Sequence, residues 1–335
     1  MPLKILIIQT AFIGDVVLAT SLIENLHAQF PEALIDVLVK KGNEGLLNRH
    51  PIINQLLVWE KNKNKLVNLF KMLSEIRSNK YEKVINVQRY GATGLLTALS
   101  GAKERIGFDK NPVSFLFTKK IKHEFGNGKL ILHETERNHK LIEHLVPVAV
   151  MRPRLYPTQA DESFIDKFTG KPFITISPSS VWFTKQYPPQ KWASFINKLA
   201  HHYIIYLLGG MEDRSLTDGL IQMTGSGAPV NLCGELTFLQ SAALMKHAVM
   251  NYVNDSAPMH FASAVNAPVT VVYCSTVTAF GYGPLSDIRF IIERQDPLYC
   301  RPCGLHGHVA CPEGHFKCAL EIRDEQLLET IAIAL

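Results

Sequence analysis

The sequence lacks the features that mark membrane-spanning, secreted and disordered chains. It contains no run of about 18 uninterrupted apolar residues, so a spanning helix is not expected. The apolar stretch at residues 5–8 is broken by Gln9 and closed by Asp15, unlike a secretory signal. Hydrophobic residues make up 47% of the chain and charged residues 19%, a balance that excludes disorder as the main state. We therefore expect a cytoplasmic protein with buried cores.

Two nucleotide-binding fingerprints are also missing. Neither the GxGxxG of dinucleotide-binding domains nor the GxxxxGK[ST] of the P-loop is present. The formal net charge is only +5. This basic surplus fits an anionic substrate, an anionic membrane face or simply a solvated surface, and it falls short of a nucleic-acid-binding footprint.

Cysteine is confined to the last third of the chain. All six cysteines lie after residue 230, and four of them are closely spaced, at Cys300, Cys303, Cys311 and Cys318. A cytoplasmic setting argues against structural disulfides. The spacing is not that of two CxxC pairs, so three interpretations stay open: a zinc site, reduced thiols in structural positions, and a redox role.

Strand-length apolar segments alternate with helical periodicity in both halves of the chain, which predicts parallel sheets with crossover helices. Pro147, Pro153, Pro157 and Pro172 cluster between the halves, so we predict two domains, residues 1–155 and 156–335. The predicted fold class is α/β, with two doubly wound domains facing across a cleft at the carboxyl ends of their strands. The predicted strands are 3–9, 33–39, 56–59, 83–87, 173–177, 203–208, 231–233, 249–253 and 269–273. The predicted helices include 65–76, 91–99, 189–200, 238–247, 258–265 and a final one over 324–335.

A glycine and an acid, Gly14 and Asp15, stand between the first predicted strand and its helix. Glycine permits close backbone approach, and a helix N-terminus presents free N–H groups. At this point Asp15 is either the N-cap of the helix or a carboxylate held as a general base.

Two further loops follow predicted strands and precede helices. The first runs from Ser179 and Ser180 to Lys185, and its hydroxyls, N–H groups and ammonium suit a diphosphate or form a plain polar loop. The second carries Asp255 and Ser256, which are either helix caps or ligands for phosphate and sugar hydroxyls.

Together these blocks resemble the ADP-heptose:lipopolysaccharide heptosyltransferases of glycosyltransferase family nine, over nearly the whole chain. The match lies in the Ile-Gly-Asp-Val-Val block at 13–17, the Lys-Gln-Tyr-Pro block at 185–188, the Asn-Asp-Ser-Ala-Pro-Met-His block at 254–260 and a weaker block at 101–108. The resemblance implies a GT-B fold of two Rossmann-like domains, the first binding the acceptor and the second the nucleotide sugar, with the final helix packing back toward the first. It implies an inverting transfer of heptose from ADP-heptose to a lipopolysaccharide core or lipid A–Kdo acceptor, with no metal and no cofactor. It also implies a bacterial protein, cytoplasmic and in peripheral contact with the inner membrane face.

The resemblance assigns roles residue by residue. Asp15 becomes the general base, and Lys185 neutralises the leaving ADP. The other implied donor contacts are Ser179, Ser180, Glu212, Leu236, Asp255, Ser256, Ala257 and His260, and the implied acceptor contacts are Gly14 and Arg137. Arg137 is alternatively an ordinary solvated side chain, and His260 a structural one.

One departure concerns the donor loop, where the family usually has glycine in place of Ala257. Alanine strains the loop if that backbone needs a positive φ, and is tolerated if glycine serves only close approach. Two alternative functions also stay open. One is a related family-nine enzyme that uses another nucleotide sugar, and the other is a nucleotide-binding module that has lost catalysis.

Overall fold

The computed structural model describes residues 2–124, 131–147, 149–225 and 227–334. The chain divides into two compact units, Met1–Tyr156 and Pro157–Leu335. Each unit is built around one six-stranded sheet in which every neighbouring pair of strands is parallel.

The first unit has the strand order β3-β2-β1-β4-β5-β6. Its strands are β1 (Lys4–Ile8), β2 (Leu34–Lys40), β3 (Ile53–Trp59), β4 (Lys83–Asn86), β5 (Glu104–Phe108) and β6 (Lys119–Ile121). Its helices are α1 (Ile13–Gln29), α2 (Lys65–Asn79), α3 (Gly91–Ala98) and α4 (Glu134–His139). The central strand β1 is a continuous apolar run because both of its faces are covered, and residues 5–8 are fully buried.

The second unit has the order β12-β11-β10-β7-β8-β9. Its strands are β7 (Phe173–Ser177), β8 (Ile204–Leu207), β9 (Val230–Asn231), β10 (Met250–Asn254), β11 (Val269–Tyr273) and β12 (Arg289–Glu293). Its helices are α5 (Gln159–Ile165), α6 (Pro189–Leu199), α7 (Arg214–Gln222), α8 (Phe238–His247), α9 (Ala257–Ala264), α10 (Lys317–Leu320) and α11 (Asp324–Ala334). Read from β9, the order is third, second, first, fourth, fifth, sixth, which is also that of the first unit.

This shared order is that of a Rossmann-like sheet, and it fixes where ligands bind. The direction of winding reverses between β1 and β4 in the first unit and between β7 and β10 in the second. Crevices at the carboxyl ends of such strand pairs are the ligand sites of open α/β sheets. The turn after β1 and the loops after β7 and β10 are therefore the places to look for a site.

Helix α11 packs within the second unit. Leu327 and Ile331 join the core that contains Trp192 and Phe195 of α6. Its packing toward the first unit stays a prediction. In the described part of the chain, no helix is both long and apolar enough to cross a membrane.

Several elements lie outside the set that the sequence pattern predicts. Strands β5 and β12 carry charged residues at their ends, and β6 has only three residues, so none reads as an apolar run. Helix α4 is a polar six-residue segment. Helices α5, α7 and α10 also lie outside the predicted set. Apart from all these elements, the predicted alternation of strands and helices is confirmed.

Candidate active site

The turn after β1 leads directly into α1, with Asp15 in the first turn of the helix. Phe12 occupies the N-cap position, and the Phe12 N–H donates to Asp15 Oδ2 over 3.1 Å. The interpretation of Asp15 as the N-cap residue is therefore wrong. Asp15 is the third residue of the helix, and its carboxylate accepts the N–H of the N-cap residue Phe12. This bond uses one carboxylate oxygen and leaves lone pairs on the other for a second partner.

Asp15 is poised to take up a proton. Burial raises the pKa of its carboxyl from 3.8 to about 6, and the negative charge of Glu134 adds to the rise. The Phe12 N–H and the positive charges of Lys40 and Arg89 act in the opposite direction. In the described part of the chain, no ammonium or guanidinium lies within ion-pair distance of Asp15. A carboxylate with a pKa near neutrality is suited to general-base catalysis.

The two predicted acceptor contacts, Gly14 and Arg137, also lie in the first unit. Gly14 is the second residue of α1 and is half-buried. Arg137 of α4 is 2% exposed, and its Nε and Nη2 both contact Glu134 Oε2, at 2.8 and 2.5 Å. The alternative of an ordinary solvated side chain at Arg137 is wrong, because this guanidinium is buried against a carboxylate. Its contact with an acceptor stays a prediction.

In the second unit, Asn254 ties the loops after β7 and β10 together. Its side-chain Nδ2 donates to the carbonyls of Pro178 and Ser179, at 2.7 and 3.4 Å, and its Oδ1 accepts the Tyr187 N–H at 3.0 Å. Gln186 Nε2 donates to the Ser180 carbonyl at 2.6 Å. These bonds fix the backbone of the serine loop and leave the hydroxyls of Ser179 and Ser180 for other partners.

Polar contacts bring Lys185 and Asp255 together. The five residues involved are called the circuit below: Thr184, Lys185, Asp255, Ser275 and Thr276. Lys185 Nζ lies 2.7 Å from Asp255 Oδ2, which also accepts from Thr276 Oγ1 at 2.6 Å. The neighbouring Ser275 Oγ donates to Thr184 Oγ1 at 3.1 Å, and Thr184 precedes Lys185 in the chain. Every member of the circuit except Lys185 is buried. The circuit therefore holds one ammonium group in a defined position at the β7–β10 switch point.

Residues of the cysteine-rich segment form hydrogen bonds with the circuit at Thr184. The His308 N–H donates to Thr184 Oγ1 at 2.8 Å, and the Thr184 N–H donates to the His308 carbonyl at 3.1 Å. Gly307 has a φ of +79°, and a Cβ there would lie 2.9 Å from Thr184 Oγ1 and 3.0 Å from Lys185 Cγ. Glycine is required at this position both by its φ and by the close approach.

The remaining residues of the donor loop lie at the start of α9. Ser256 is at the N-cap position without a side-chain capping bond, and Ala257 is the first helical residue. Ala257 has helical backbone and is not one of the residues with positive φ, so alanine brings no backbone strain there. His260, one turn further, is buried.

Glu212 follows β8, and Leu236 lies between β9 and α8. Both residues are therefore at the carboxyl ends of the strands. Glu212 is exposed and Leu236 is half-buried. The two segments approach each other, because the Gly234 N–H donates to the Gly209 carbonyl at 3.0 Å. In the described residues no hydrogen bond or ion pair connects Glu212 or Leu236 to Lys185 or Asp255, so the structure does not bring these two predicted contacts to the circuit.

The cysteines are free thiols. Burial, with the neighbouring thiols as lesser contributors, raises the pKa of Cys318 to about 11. Cys300 Sγ lies 3.9 Å from His315 Nε2. Over the described ranges, no group of three or more His, Cys, Asp or Glu side chains could hold a metal ion. A protonated, buried thiol packs as a small apolar side chain, which favours a structural role for Cys318.

Comparison with known proteins identifies the family of the chain. A family model described as "Glycosyltransferase family 9 (heptosyltransferase)" matches residues 69–304, more than half of the chain. The chain belongs to glycosyltransferase family 9. The matched segment contains Lys185 and Asp255, whereas Asp15 lies before it.

Individual family-9 relatives are similar over most of their length. Lipopolysaccharide heptosyltransferase 3 of Escherichia coli is 26% identical over 280 residues, which are 79% of this chain and 82% of the relative. The glycosyl transferase family 9 structure from Veillonella parvula has a TM-score of 0.86 at 19% identity, covering 99% of this chain and 96% of that one. The E. coli ADP-heptose LPS heptosyltransferase II has a TM-score of 0.81 at 20% identity, covering 99% and 98%. The predicted GT-B fold of two Rossmann-like domains is thereby confirmed.

Sequence reasoning missed three residues that contact or influence the two sites in this structure. Thr276 and Ser275 close the circuit, and Glu134 contributes to the raised pKa of Asp15. Ser275 and Thr276 follow shortly after β11, as Asp255 follows β10. Their position after a strand was the sequence feature that could have identified them as site residues.

Proposed function

We propose that this family-9 protein is an inverting heptosyltransferase that transfers heptose from ADP-heptose to the inner core of lipopolysaccharide. The observation that carries the proposal is Asp15, a carboxylate with a pKa near 6 at the β1–β4 switch point. The relatives support the sugar and the acceptor, since their names specify ADP-heptose and lipopolysaccharide.

In the proposed reaction, Asp15 takes the proton from an acceptor hydroxyl while that oxygen attacks C1 of the donor heptose. The new C1–O bond forms as the bond from C1 to the diphosphate oxygen breaks, so ADP leaves with the electron pair. Positioned proton transfer of this kind contributes about 10²–10⁴-fold to a rate. No metal ion is invoked, and Gly14 and Arg137 are proposed to lie along the acceptor.

We assign the donor to the second unit. Lys185 balances the charge that develops on the leaving diphosphate, an electrostatic role that benefits from a fixed ammonium group. Ser179, Ser180, Ser256 and the N–H groups at Ala257 are proposed to contact the same diphosphate. Asp255 and His260 are proposed to border the sugar and phosphates, and Glu212 and Leu236 the nucleoside.

The test is the Asp15→Asn variant, assayed for heptose transfer and, by calorimetry, for ADP binding. Transfer should fall by about 10²–10⁴-fold while ADP affinity stays that of the wild type. Asp109→Asn, an exposed acid in the same unit, is the matched control and should keep full activity. Turnover by Asp15→Asn within a factor of two of wild type would remove Asp15 as the base.

The same assays separate the alternative donors. Selective binding of ADP over UDP and GDP supports ADP-heptose, whereas a preference for UDP or GDP indicates another nucleotide sugar. Failure to bind any of the three would indicate a module without catalysis.

We also propose a peripheral position on the cytoplasmic face of the inner membrane, where a lipid-linked acceptor is accessible. Support comes from α2, where Leu66, Val67 and Phe70 are 70%, 67% and 64% exposed and Lys71 is exposed beside them. Apolar and basic side chains on one helix bind anionic lipid surfaces. Val67→Ser with Phe70→Ser should reduce co-sedimentation with anionic vesicles, and Ile288→Ser in the second unit should not.

A further inference from the structure

Four consecutive backbone carbonyls at the end of β11, those of residues 273–276, accept hydrogen bonds from one short segment. The guanidinium of Arg301 donates to three of them, Tyr273 at 3.3 Å, Cys274 at 2.8 Å and Thr276 at 2.8 Å. The Cys303 N–H donates to the fourth, that of Ser275, at 2.8 Å. Residues 274–276 lie beyond the strand, where buried carbonyls need partners outside the sheet ladder.

The backbone that Arg301 holds carries two members of the circuit. Thr276 Oγ1 donates to Asp255 Oδ2 at 2.6 Å, and Ser275 Oγ donates to Thr184 Oγ1 at 3.1 Å. Both side chains are short, so the position of each hydroxyl follows from the backbone that bears it. The guanidinium of Arg301 therefore fixes where these two hydroxyls meet the circuit.

The same segment also contacts the other side of the Lys185–Asp255 pair. The His308 N–H and carbonyl each form a hydrogen bond with Thr184, at 2.8 and 3.1 Å. Gly307 lies so close that a Cβ there would be 3.0 Å from Lys185 Cγ. Residues 301–308 thus hold the pair from both sides, with Arg301 nearer Asp255 and His308 nearer Lys185.

The charge of Arg301 is already balanced by a carboxylate. Its Nη2 lies 2.5 Å from Glu293 Oε2, at the end of β12, and its side chain is 11% exposed. The pair carries no net charge, so its attraction for a separate anion is weak. The planar fork of arginine can bind several oxygens at once, whereas a lysine ammonium acts as a point charge. The contribution of Arg301 therefore lies in its geometry.

We propose that Arg301 is a positioning residue for donor binding. By fixing the backbone of residues 273–276 it holds Thr276 on Asp255, and Asp255 in turn holds the ammonium of Lys185. The inference rests on the proposed function, because that function assigns the ammonium to the diphosphate of the donor. Without Arg301 the Lys185 ammonium has a wider range of positions, so the diphosphate binds more weakly while the sheet stays folded.

The first test is ADP binding by the full chain, measured by calorimetry. Arg301→Met should weaken it about tenfold, the loss expected for a hydrogen bond to a charged group. Arg301→Lys keeps the charge but not the fork, and should also bind ADP more weakly than the wild type. Arg294→Met is the matched control, because Arg294 likewise bonds a carboxylate and backbone carbonyls, those of Glu321, Asp296 and Pro297. It should bind ADP as the wild type does.

A double-mutant cycle shows whether Arg301 acts through Lys185. In the Lys185→Met background, adding Arg301→Met should change ADP affinity less than about twofold, because the group that Arg301 positions is already gone. A second measurement needs no nucleotide. Acetylation of Lys185 by acetic anhydride, followed by mass spectrometry, should be several-fold faster in Arg301→Met than in the wild type or Arg294→Met.

Wild-type ADP affinity in Arg301→Met or Arg301→Lys would overturn the inference, as would a full tenfold loss in the Lys185→Met background. Melting temperature is measured for every variant, and Arg301→Lys replaces Arg301→Met in the cycle if the latter does not fold. Failure of the wild type to bind ADP contradicts the proposed function, and the acetylation rates of Lys185 then decide the positioning role of Arg301 on their own.

Discussion

The two units share one strand order, and each places an acid at its switch point, but the two acids have opposite surroundings. Asp255 contacts an ammonium and a hydroxyl, Lys185 Nζ at 2.7 Å and Thr276 Oγ1 at 2.6 Å. Asp15 has one backbone N–H at 3.1 Å, and burial raises its pKa to about 6. A carboxylate that loses solvation and has few hydrogen-bonding partners binds its proton more readily.

This difference indicates that two units with the same strand order place their acids in environments suited to different tasks. The acid of the second unit holds a cation in position, and in the proposed function the ammonium of Lys185 faces the anionic leaving group. The first unit leaves its acid under-stabilised, and proton affinity is what a general base requires. The stability that the first unit forgoes at Asp15 is typical of a functional site.

The largest expected effect on ligand binding comes from breaking the Lys185–Asp255 pair in the second unit. Lys185→Met removes the ammonium and leaves Asp255 buried without its counter-charge, so ADP binding should weaken by about 10–100-fold, and the melting temperature should fall. Calorimetry and thermal melting check both. Lys191→Met and Lys198→Met, whose partner Asp324 lies at the start of α11, are matched controls and should leave ADP binding unchanged.

A double variant separates the two consequences. Adding Asp255→Asn to Lys185→Met removes the unpaired charge and should restore much of the melting temperature while ADP affinity stays low. Recovery of ADP affinity in the double variant would contradict the role given to Lys185.

The next effect concerns Asp15 of the first unit and is seen in the pH dependence of kcat/KM. A base with a pKa of about 6 must be ionised to act, so kcat/KM should fall about tenfold per unit below pH 6 and level off above it. Lys40→Met and Arg89→Gln each remove a positive charge that lowers the pKa of Asp15, so both should move the inflection to higher pH. Lys103→Met should not move it, and an inflection at the same pH in all four proteins would exclude this electrostatic account.

The sequence predicted best where burial imposes an uninterrupted apolar run. Strands β7 and β11 have the predicted bounds, 173–177 and 269–273, because both are internal strands with no exposed face. Strand β12 was missed because it lies at the sheet edge, where Arg289 and Glu293 interrupt the run. Pattern alone does not separate such a charged edge segment from a loop.

At the site, sequence reasoning located the loops but not the contacts within them. Lys185 and Asp255 both follow strands of one parallel sheet, so their common edge was predictable. The bond from Thr276 to Asp255 depends on side-chain rotamers and on the β10–β11 register, which no local pattern records. Arg137 was misjudged as a candidate solvated residue because arginine is seldom buried, and its partner Glu134 is visible only in the folded structure.

A smaller effect is expected from loosening the circuit without removing its charges. Thr184→Val keeps the shape but loses the hydroxyl that accepts from His308 N–H and Ser275 Oγ, so Lys185 is less firmly positioned. KM for the donor should rise about 3–10-fold, which corresponds to one ordinary hydrogen bond, with a smaller change in kcat. Thr184→Ser retains the hydroxyl and should recover the wild-type KM. If Thr184→Ser is as impaired as Thr184→Val, the methyl packing and not the hydroxyl matters.

The smallest effect is a change in stability that accompanies the loss of the base. The pKa of Asp15 is raised from 3.8 in its ordinary state to about 6 in the folded protein, so the folded state binds more protons between these values. The contribution of Asp15 to the free energy of unfolding therefore falls as pH rises from 4 to 6 and stays low above 6. Asp15→Asn removes that penalty while its amide oxygen still accepts the Phe12 N–H. Its melting temperature should exceed that of the wild type by a few degrees at pH 8, and the advantage should vanish near pH 4. An inactive Asp15→Asn that is less stable than wild type at pH 8 would mean that the carboxylate stabilises the turn, and the contrast with Asp255 would then be lost.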